Sequence, residues 1–360
     1  MKKFSLILVF FFLSLVLCGY TQGRDMSFRP RAERRGGISD SCQAGANLRS
    51  LDYARDDFIK WIDFNVSYDV LNRAFRGAPK QVPELLAYVA LKNGNSFKNT
   101  KNDLKNLNAA IKDPELFKKY SENKYYKYYR ESYRAILGGI IDAETGTLRG
   151  FHPIAKGRWY SCYDDFGNSR GYGYKRRHLG HDLFGSVGTP IIAVESGTIT
   201  ELGWNQYGGW RIGIRSDDVI PSEAEGSQIH ADSAEPTDIA YNYPARYYYY
   251  AHLRKYPTPK NSPSQSEESV DDLDGKGPYA KGLKKGDRVT AGQVIGYLGN
   301  TGYSRTENTN MKQGKPHLHF GIQIIFDPSQ EDGNGEIWID CHTLCRFLSR
   351  NRASTSKIPQ

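Results

Sequence analysis

From about residue 150 onward, the chain consists of short runs of β-branched and aromatic residues that are separated by glycine turns. Residues 189–194 (TPIIAV) and 198–202 (TITEL) flank the turn 195–197 (ESG), and residues 286–302 repeat this alternation of strand and turn. Such runs between turn signals are typical of strands joined by hairpins. The pattern therefore predicts an antiparallel β domain over residues 150–345, followed by a C-terminal tail at 346–360.

Two polar stretches interrupt the predicted β domain. Residues 216–245 are rich in Asp, Glu and Ser, and residues 257–281 are rich in Ser, Pro and Asp. We expect both to be solvated insertions on the surface. The first returns just before the predicted strand that carries His252, so its acidic tip is expected at one end of a groove, where it would disfavour acidic peptides. The alternative is an insertion without effect on turnover.

The preceding part of the chain has a helical pattern. Between residues 51 and 140, apolar side chains recur at helical spacing, with breaks at 77–79 and 94–95. The stretch 124–133 (KYYKYYRESY) repeats aromatic residues at the same spacing, which favours a packing face over a ligand platform. The predicted fold class is α+β, with an α-helical N-terminal region ahead of the antiparallel all-β domain and its open groove.

The first 50 residues predict export. Residues 1–23 contain two lysines, an apolar run and then small and polar residues, which is the layout of a signal peptide or membrane anchor. Three interpretations stay open: lipidation at Cys18, cleavage within residues 19–23, and an uncleaved anchor. The arginine-rich stretch 24–50 follows as a flexible basic tether. The protein is expected to be secreted or associated with the cell envelope.

Net charge points to the kind of partner. The chain of 360 residues carries a formal charge of +9, which becomes +7 without residues 1–23, because Lys2 and Lys3 are their only formal charges. A basic protein is attracted to polyanions. The export signal favours anionic wall polymers or lipid head groups over nucleic acid, with membrane contact only through the N-terminal segment.

The cysteines leave several possibilities. With Cys18 set aside, Cys42, Cys162, Cys341 and Cys345 allow three disulfide pairings. Cys341 and Cys345 flank His342, but half a zinc site is not favoured there because no second cysteine pair lies nearby in the sequence. Disulfides or unpaired thiols are the expected states.

Histidines are concentrated in three places of the β domain. In PHLHF, His317 and His319 alternate with apolar residues and so share one face of a strand. In HLGHD, extended geometry directs His178 and Asp182 to one face and His181 to the other. In YYYYAHL, the same alternation would place His252 on a face with Tyr248 and Tyr250.

Zinc hydrolysis is the chemistry that requires such a set of side chains. A catalytic zinc takes three protein ligands of the His or carboxylate type and keeps a fourth position for water. Additional imidazoles can move protons or stabilise the oxyanion. The three histidine-bearing strands are therefore predicted to meet in one groove.

The order of these motifs resembles the lysostaphin and LytM type of peptidoglycan endopeptidase. The motif H-x-G-x-D, the strand with Tyr-x-His-Leu, the stretch K-x-G-D-x-V-x-x-G-Q-x-I-G-x-x-G-x-T-G and PHLHF follow each other between about residues 176 and 325. The resemblance implies one zinc ion per chain, held by His178, Asp182 and His319, with His252 and His317 in catalysis. It also implies peptidoglycan as the substrate. His181 stands where an apolar residue is common, which indicates a structural group on the back face.

Two other functions fit the sequence less well. Some members of such a family lose a ligand and only bind the wall or assist envelope assembly, but all five positions are filled here. A zinc peptidase of the D-Ala-D-Ala type would need a downstream Glu-x-x-His, and the sequence has none at a suitable place. The sequence does not reveal which peptide bond is cut.

Overall fold

The computed structural model describes residues 64, 66–94, 96–171, 175–217, 245–257, 276–325 and 337–355. The predicted signal segment 1–23, the tether 24–50, Cys18, Cys42, and most of the two insertions (218–244 and 258–275) lie outside the described residues. Within the described ranges, no helix has both the length and the hydropathy needed to cross a bilayer.

The N-terminal region forms five helices in the described part of the chain. These are α1 (Tyr68–Gly77), α2 (Val82–Asn93), α3 (Thr100–Lys112), α4 (Glu115–Lys118) and α5 (Lys124–Leu137), with a 3₁₀ turn at Pro79–Gln81. Their ends follow from the sequence: the Ser67 side chain accepts from the amide of Val70 at the start of α1, and Gly94 ends α2 at φ +63°.

The tyrosines of α5 form part of the core. Tyr126, Tyr128, Tyr129 and Tyr133 are all buried, and the ring of Tyr133 packs edge-on against Phe64 at 5.9 Å between centroids. The aromatic repeat is a packing face, as its helical spacing predicted.

The second half of the chain is an antiparallel β domain. Its strands are β1 (Ser169–Gly171), β2 (Lys175–Arg177), β3 (His181–Phe184), β4 (Pro190–Ile192), β5 (Gly197–Asn205), β6 (Gly209–Ser216), β7 (Ala245–Ala251), β8 (Arg288–Val289), β9 (Val294–Tyr297), β10 (His317–Ile325) and β11 (Ile337–Ile339). The main sheet has the order β11-β10-β7-β6-β5-β8, and β3 also pairs with β10. Strands β1 and β2 form one separate pair, and β4 and β9 form another. The predicted α+β architecture is confirmed.

The two halves share one core. A single cluster of buried apolar side chains extends from Phe64 through the helices and the sheet to Leu348. The last helix, α6 (His342–Leu348), crosses residue 346, where the tail was expected to begin, and its Phe347 packs on Phe75 of α1 at 5.2 Å. The C-terminal helix therefore packs against the first helix of the N-terminal region.

A buried ion pair lies at the junction of the two halves. The guanidinium of Arg246 on β7 donates to both carboxylate oxygens of Glu195 at 2.8 and 2.6 Å, and to the carbonyl of Ala135 on α5 at 3.2 Å. The Tyr248 hydroxyl donates to the same carboxylate at 2.6 Å. Since Arg246 and Glu195 are buried, these contacts satisfy charges that would be costly to bury alone.

Candidate metal centre

Three side chains converge where β3 pairs with β10. Nε2 of His178 lies 3.0 Å from Oδ1 of Asp182 and 2.9 Å from Nδ1 of His319, and the last two atoms lie 3.3 Å apart. In a zinc tetrahedron with bonds of about 2.0–2.1 Å, neighbouring ligand atoms are about 3.3 Å apart. The three donor atoms thus form a triangle of the size that one zinc ion requires.

The strand register explains this convergence. Asp182 on β3 is the direct partner of His319 on β10, so their side chains leave the sheet on the same face. His178 precedes β3 and approaches across Gly180. A Cβ at Gly180 would lie 2.6 Å from the carbonyl oxygen of Phe320 and 2.7 Å from the ring of His319. The glycine of the H-x-G-x-D motif therefore gives His319 the space it occupies.

A second carboxylate orients His178. Oδ2 of Asp165 lies 3.1 Å from Nδ1 of His178, which leaves Nε2 of that ring directed at the cluster. Arg170 donates to Asp165 at 2.8 Å and to Oδ2 of Asp182 at 3.2 Å. Histidine ligands of metals are commonly oriented by such a carboxylate. Neither Asp165 nor Arg170 was identified from the sequence, because isolated Asp and Arg residues upstream of the motif carry no signal of their own.

Charge and burial set the protonation of the cluster in the metal-free chain. Burial would raise the pKa of Asp182, but attraction to His178 and hydrogen bonds from the neighbouring imidazoles outweigh it and hold this pKa well below the usual value. Burial also lowers the pKa of His319 to about 4, against the opposing effect of Asp182. Asp182 and His319 are therefore held in the forms that bind metals, a carboxylate and a neutral imidazole. Against the effect of burial, Asp182 and Asp165 raise the pKa of His178, so a metal must displace any proton on this ring.

His317 and His252 lie beside this triangle. Nε2 of His317 is 3.8 Å from Oδ1 of Asp182, and the rings of His252 and His317 are 4.7 Å apart. His252 also contacts the ring of His319, at 6.0 Å between centroids. The structure thus brings together all five of the residues that the sequence singled out.

The expected position of His252 beside Tyr248 and Tyr250 is wrong. Those two tyrosines pack against Phe320, on the face of the sheet opposite to His319. His252 follows the end of β7 and has a left-handed backbone, with φ +62°. Such a backbone is uncommon for a residue other than glycine and interrupts the alternation of the strand. It directs the His252 ring to the face of His317.

Hydrogen bonds fix the two additional imidazoles. Nδ1 of His252 donates to the carbonyl of Thr301 at 2.8 Å, and Nδ1 of His317 donates to the carbonyl of Lys315 at 2.7 Å. A carbonyl can only accept, so in the neutral rings each Nε2 carries a lone pair. Burial, followed by the neighbouring imidazoles, holds the pKa of His252 well below its usual value. The ring of Tyr303 stacks on His252 at 5.5 Å.

His181 lies on the back of the same strand, as expected from the alternation. It pairs with Phe320, is fully buried and places Nδ1 at 3.3 Å from Oδ1 of Asp165. The described cysteines, Cys162, Cys341 and Cys345, are free thiols. The sequence is compatible with disulfides or unpaired thiols, and these three cysteines are unpaired.

The arrangement defines a class of protein. An antiparallel β domain with a His-Asp-His donor triangle and two further imidazoles beside it has the composition of a hydrolytic metal site of the peptidase type. Asp182, His317 and His319 retain between 10% and 14% of their side-chain exposure, so the cluster is accessible from outside.

Comparisons with known proteins agree with this class. The chain is 31% identical over 163 residues to the L-Ala–D-Glu endopeptidase of Bacillus subtilis, a match that covers 45% of this chain and 34% of that protein. It is 30% identical over 172 residues to lysostaphin of Staphylococcus simulans, covering 45% of this chain and 22% of that protein. The chain thus spans about a third or less of the length of these curated relatives. No family model matches it.

A solved structure shows the same fold. The match to the crystal structure of a LytM protein from Ruminococcus gnavus covers 80% of this chain and 90% of the other chain. It has a TM-score of 0.50 and 23% sequence identity. The curated matches support the resemblance of this chain to the lysostaphin/LytM-type peptidases, and the solved structure shows that the fold is shared.

Proposed function

We propose that this protein is an exported zinc-dependent endopeptidase that hydrolyses peptide bonds in the stem peptides or cross-bridges of peptidoglycan. The observation that carries the proposal is the triangle of donor atoms from His178, Asp182 and His319, with edges of 2.9, 3.0 and 3.3 Å. The relatives named above cut L-Ala–D-Glu bonds or are lysostaphins, which supports a wall peptide as the substrate.

The residues of the triangle fit zinc by their chemistry as well as by their spacing. Two imidazoles and one carboxylate are ligands that zinc prefers, and they leave the bound ion with one net positive charge. When bound, zinc supplies Lewis acidity to a peptide carbonyl and lowers the pKa of a water ligand to about 7. Asp165 keeps Nε2 of His178 directed at the metal position through its contact with Nδ1.

His252 and His317 are assigned to proton transfer and to stabilisation of the oxyanion. Each ring is anchored through Nδ1 to a backbone carbonyl, so each can present Nε2 to a bound peptide without reorienting. In the neutral form Nε2 can accept a proton from an attacking water. The protonated form can then donate to the oxyanion or to the leaving amine.

Export and wall association are the remaining parts of the proposal. The lysine pair and apolar run of residues 1–23 support secretion or anchoring at the envelope. The net charge of +7 for the rest of the chain supports attraction to anionic wall polymers.

Digestion of purified peptidoglycan tests the proposal. The zinc-loaded chain should release new amino groups, and mass analysis of the fragments should identify the bond that is cut. A chelator should abolish this release and added zinc should restore it, while His319→Ala should release none under either condition. A zinc-loaded chain that binds the wall and yields no new amino groups would overturn the proposal in favour of a non-catalytic wall-binding role.

A further inference from the structure

A second cluster of metal-binding side chains lies on the back of β3. Cys162, His181 and His342 each offer one ligand atom, and these atoms lie within 4.8 Å of one another. His181 immediately precedes Asp182 in the strand, but it leaves the sheet on the opposite face, where it pairs with Phe320. The two clusters are therefore separate sites that share one strand.

The two imidazoles of this back cluster are spaced as ligands of one ion. Nε2 of His181 lies 3.4 Å from Nδ1 of His342, with ring centroids 4.8 Å apart and the rings nearly perpendicular. Two nitrogens bound to one tetrahedral zinc at about 2.0–2.1 Å would lie about 3.3 Å apart. The pair thus has the ligand separation already, and the nitrogens face each other.

Asp165 orients His181 in the same way that it orients His178. Its Oδ1 lies 3.3 Å from Nδ1 of His181, while its Oδ2 lies 3.1 Å from Nδ1 of His178. A carboxylate at Nδ1 leaves Nε2 of the ring to bind a metal. The same carboxylate therefore prepares one imidazole for each site.

The third donor determines the kind of metal. Cys162 is a free, partly exposed thiol, and a thiolate with two imidazoles favours zinc over the oxygen-preferring Mg²⁺ and Ca²⁺. His342 is also partly exposed, so water can supply a fourth ligand. Neither Cys341 nor Cys345, the sequence neighbours of His342, belongs to this set.

We propose that Cys162, His181 and His342 bind a second zinc ion, in addition to the ion assigned to His178, Asp182 and His319. The site would link three parts of the chain: the segment before β1, the start of β3 and the start of α6. Binding would release the thiol proton of Cys162 and any proton on Nε2 of His181. Its role is structural, because it fixes β3 against the C-terminal helix from the face opposite to the wall-cleaving site.

Titration of the metal-free chain with Co²⁺ tests this proposal independently of activity. Only a thiolate ligand gives the near-ultraviolet charge-transfer band between sulfur and cobalt. The site formed by His178, Asp182 and His319, here called the front site, offers nitrogen and oxygen donors alone. The wild-type chain should develop the band, and Cys162→Ser should lose it. The band should persist in Cys42→Ser and Cys341→Ser, which are matched thiol controls, and in His319→Ala, which removes a ligand from the front site only.

Zinc content gives the second measurement. Mass spectrometry of the folded protein should find two zinc ions per wild-type chain, one in Cys162→Ser and one in His319→Ala. His342→Gln, at a partly exposed position, should also bind one zinc and should weaken the cobalt band. A wild-type chain without the band, or a Cys162→Ser variant that retains the band and both ions, would overturn the proposal. If the wall is not cleaved but the band depends on Cys162, only the proposed function fails.

Discussion

Oδ2 of Asp165 lies 3.1 Å from Nδ1 of His178, on the side of the ring away from the donor triangle. The same oxygen accepts a hydrogen bond from Arg170 at 2.8 Å, so the carboxylate is itself held in place. Because an imidazole that is fixed through one nitrogen presents the other in a defined direction, this contact organises the site before any metal binds.

Asp165→Asn should weaken zinc binding at the front site. Loss of a carboxylate behind a histidine ligand typically costs roughly 10–100-fold in metal affinity. A competition titration with a chromophoric chelator would measure the change. It is carried out on a Cys162→Ser background, which lacks the proposed second site of Cys162, His181 and His342. Asp164→Asn, at the exposed neighbouring position, is the control and should bind zinc as before. Equal affinities for the two variants would show that Asp165 does not orient His178.

His319→Ala should leave a folded protein without zinc at the front site and without wall hydrolysis. The substitution removes one of three ligands, and with it both the affinity and the Lewis acidity of the site. Zinc content and fragment release measure the two effects, and circular dichroism checks the fold. Full activity in this variant would refute the ligand assignment.

His252→Ala and His317→Ala should retain zinc and lose activity. The loss of an acid, base or oxyanion donor usually costs roughly two or more orders of magnitude in rate. Metal analysis alongside single-turnover cleavage separates this effect from a loss of the ion. If zinc content fell in both variants as far as in His319→Ala, the division of roles would have to be abandoned.

Gly180→Ala should disturb the front site although residue 180 binds nothing. The added Cβ would lie 2.7 Å from the His319 ring and 2.6 Å from the Phe320 carbonyl, so His319 or the strand must shift. We expect weaker zinc binding and at least roughly a tenfold loss of activity, since misplacement of a reacting group is costly. Gly185→Ala serves as the control, because its closest contact is the movable end of Leu298 at 3.1 Å. Similar losses in both variants would point to a general effect on the strand.

His152 should make the protein less stable as the pH falls. Burial lowers the pKa of this fully buried imidazole to about 3, whereas it is 6.5 in an unfolded chain. Between these pH values the unfolded state binds more protons than the folded state. The contribution of His152 to the free energy of unfolding is therefore fully present above about pH 6.5 and falls toward pH 3, by up to about 1.4 kcal/mol per pH unit. Denaturant unfolding of the wild type and His152→Gln at pH 7 and 5 tests this. The variant should show the smaller difference, and equal differences would contradict the expectation.

The sequence predicts the parts of the site that depend on strand alternation. His317, His319 and Asp182 lie on regular strands, so their shared face follows from the pattern, as does the opposite face of His181. The position of His252 could not be read in this way, because a left-handed backbone at φ +62° redirects its ring. Asp165 and His342 come close to the motif only through tertiary packing, which leaves no periodic signal in the sequence.

The fold was predictable to a similar degree. Hydrophobic spacing and turn residues indicated the helices and the antiparallel strands, since both depend on local sequence. The packing of α6 against α1 depends on contacts between the two ends of the chain, such as Phe347 with Phe75. Residues 346–348 therefore lie within α6, whose Phe347 and Leu348 are buried, whereas the sequence pattern predicts the start of a tail there.

The Arg246–Glu195 pair has a consequence for how this chain can be divided into fragments. Its guanidinium also binds the carbonyl of Ala135, so a fragment that begins at residue 150 would lose this partner and expose the apolar surface beneath α5. We therefore expect the helical region and the sheet of this chain to unfold together, so that the β domain could not be separated from the helices without a loss of stability.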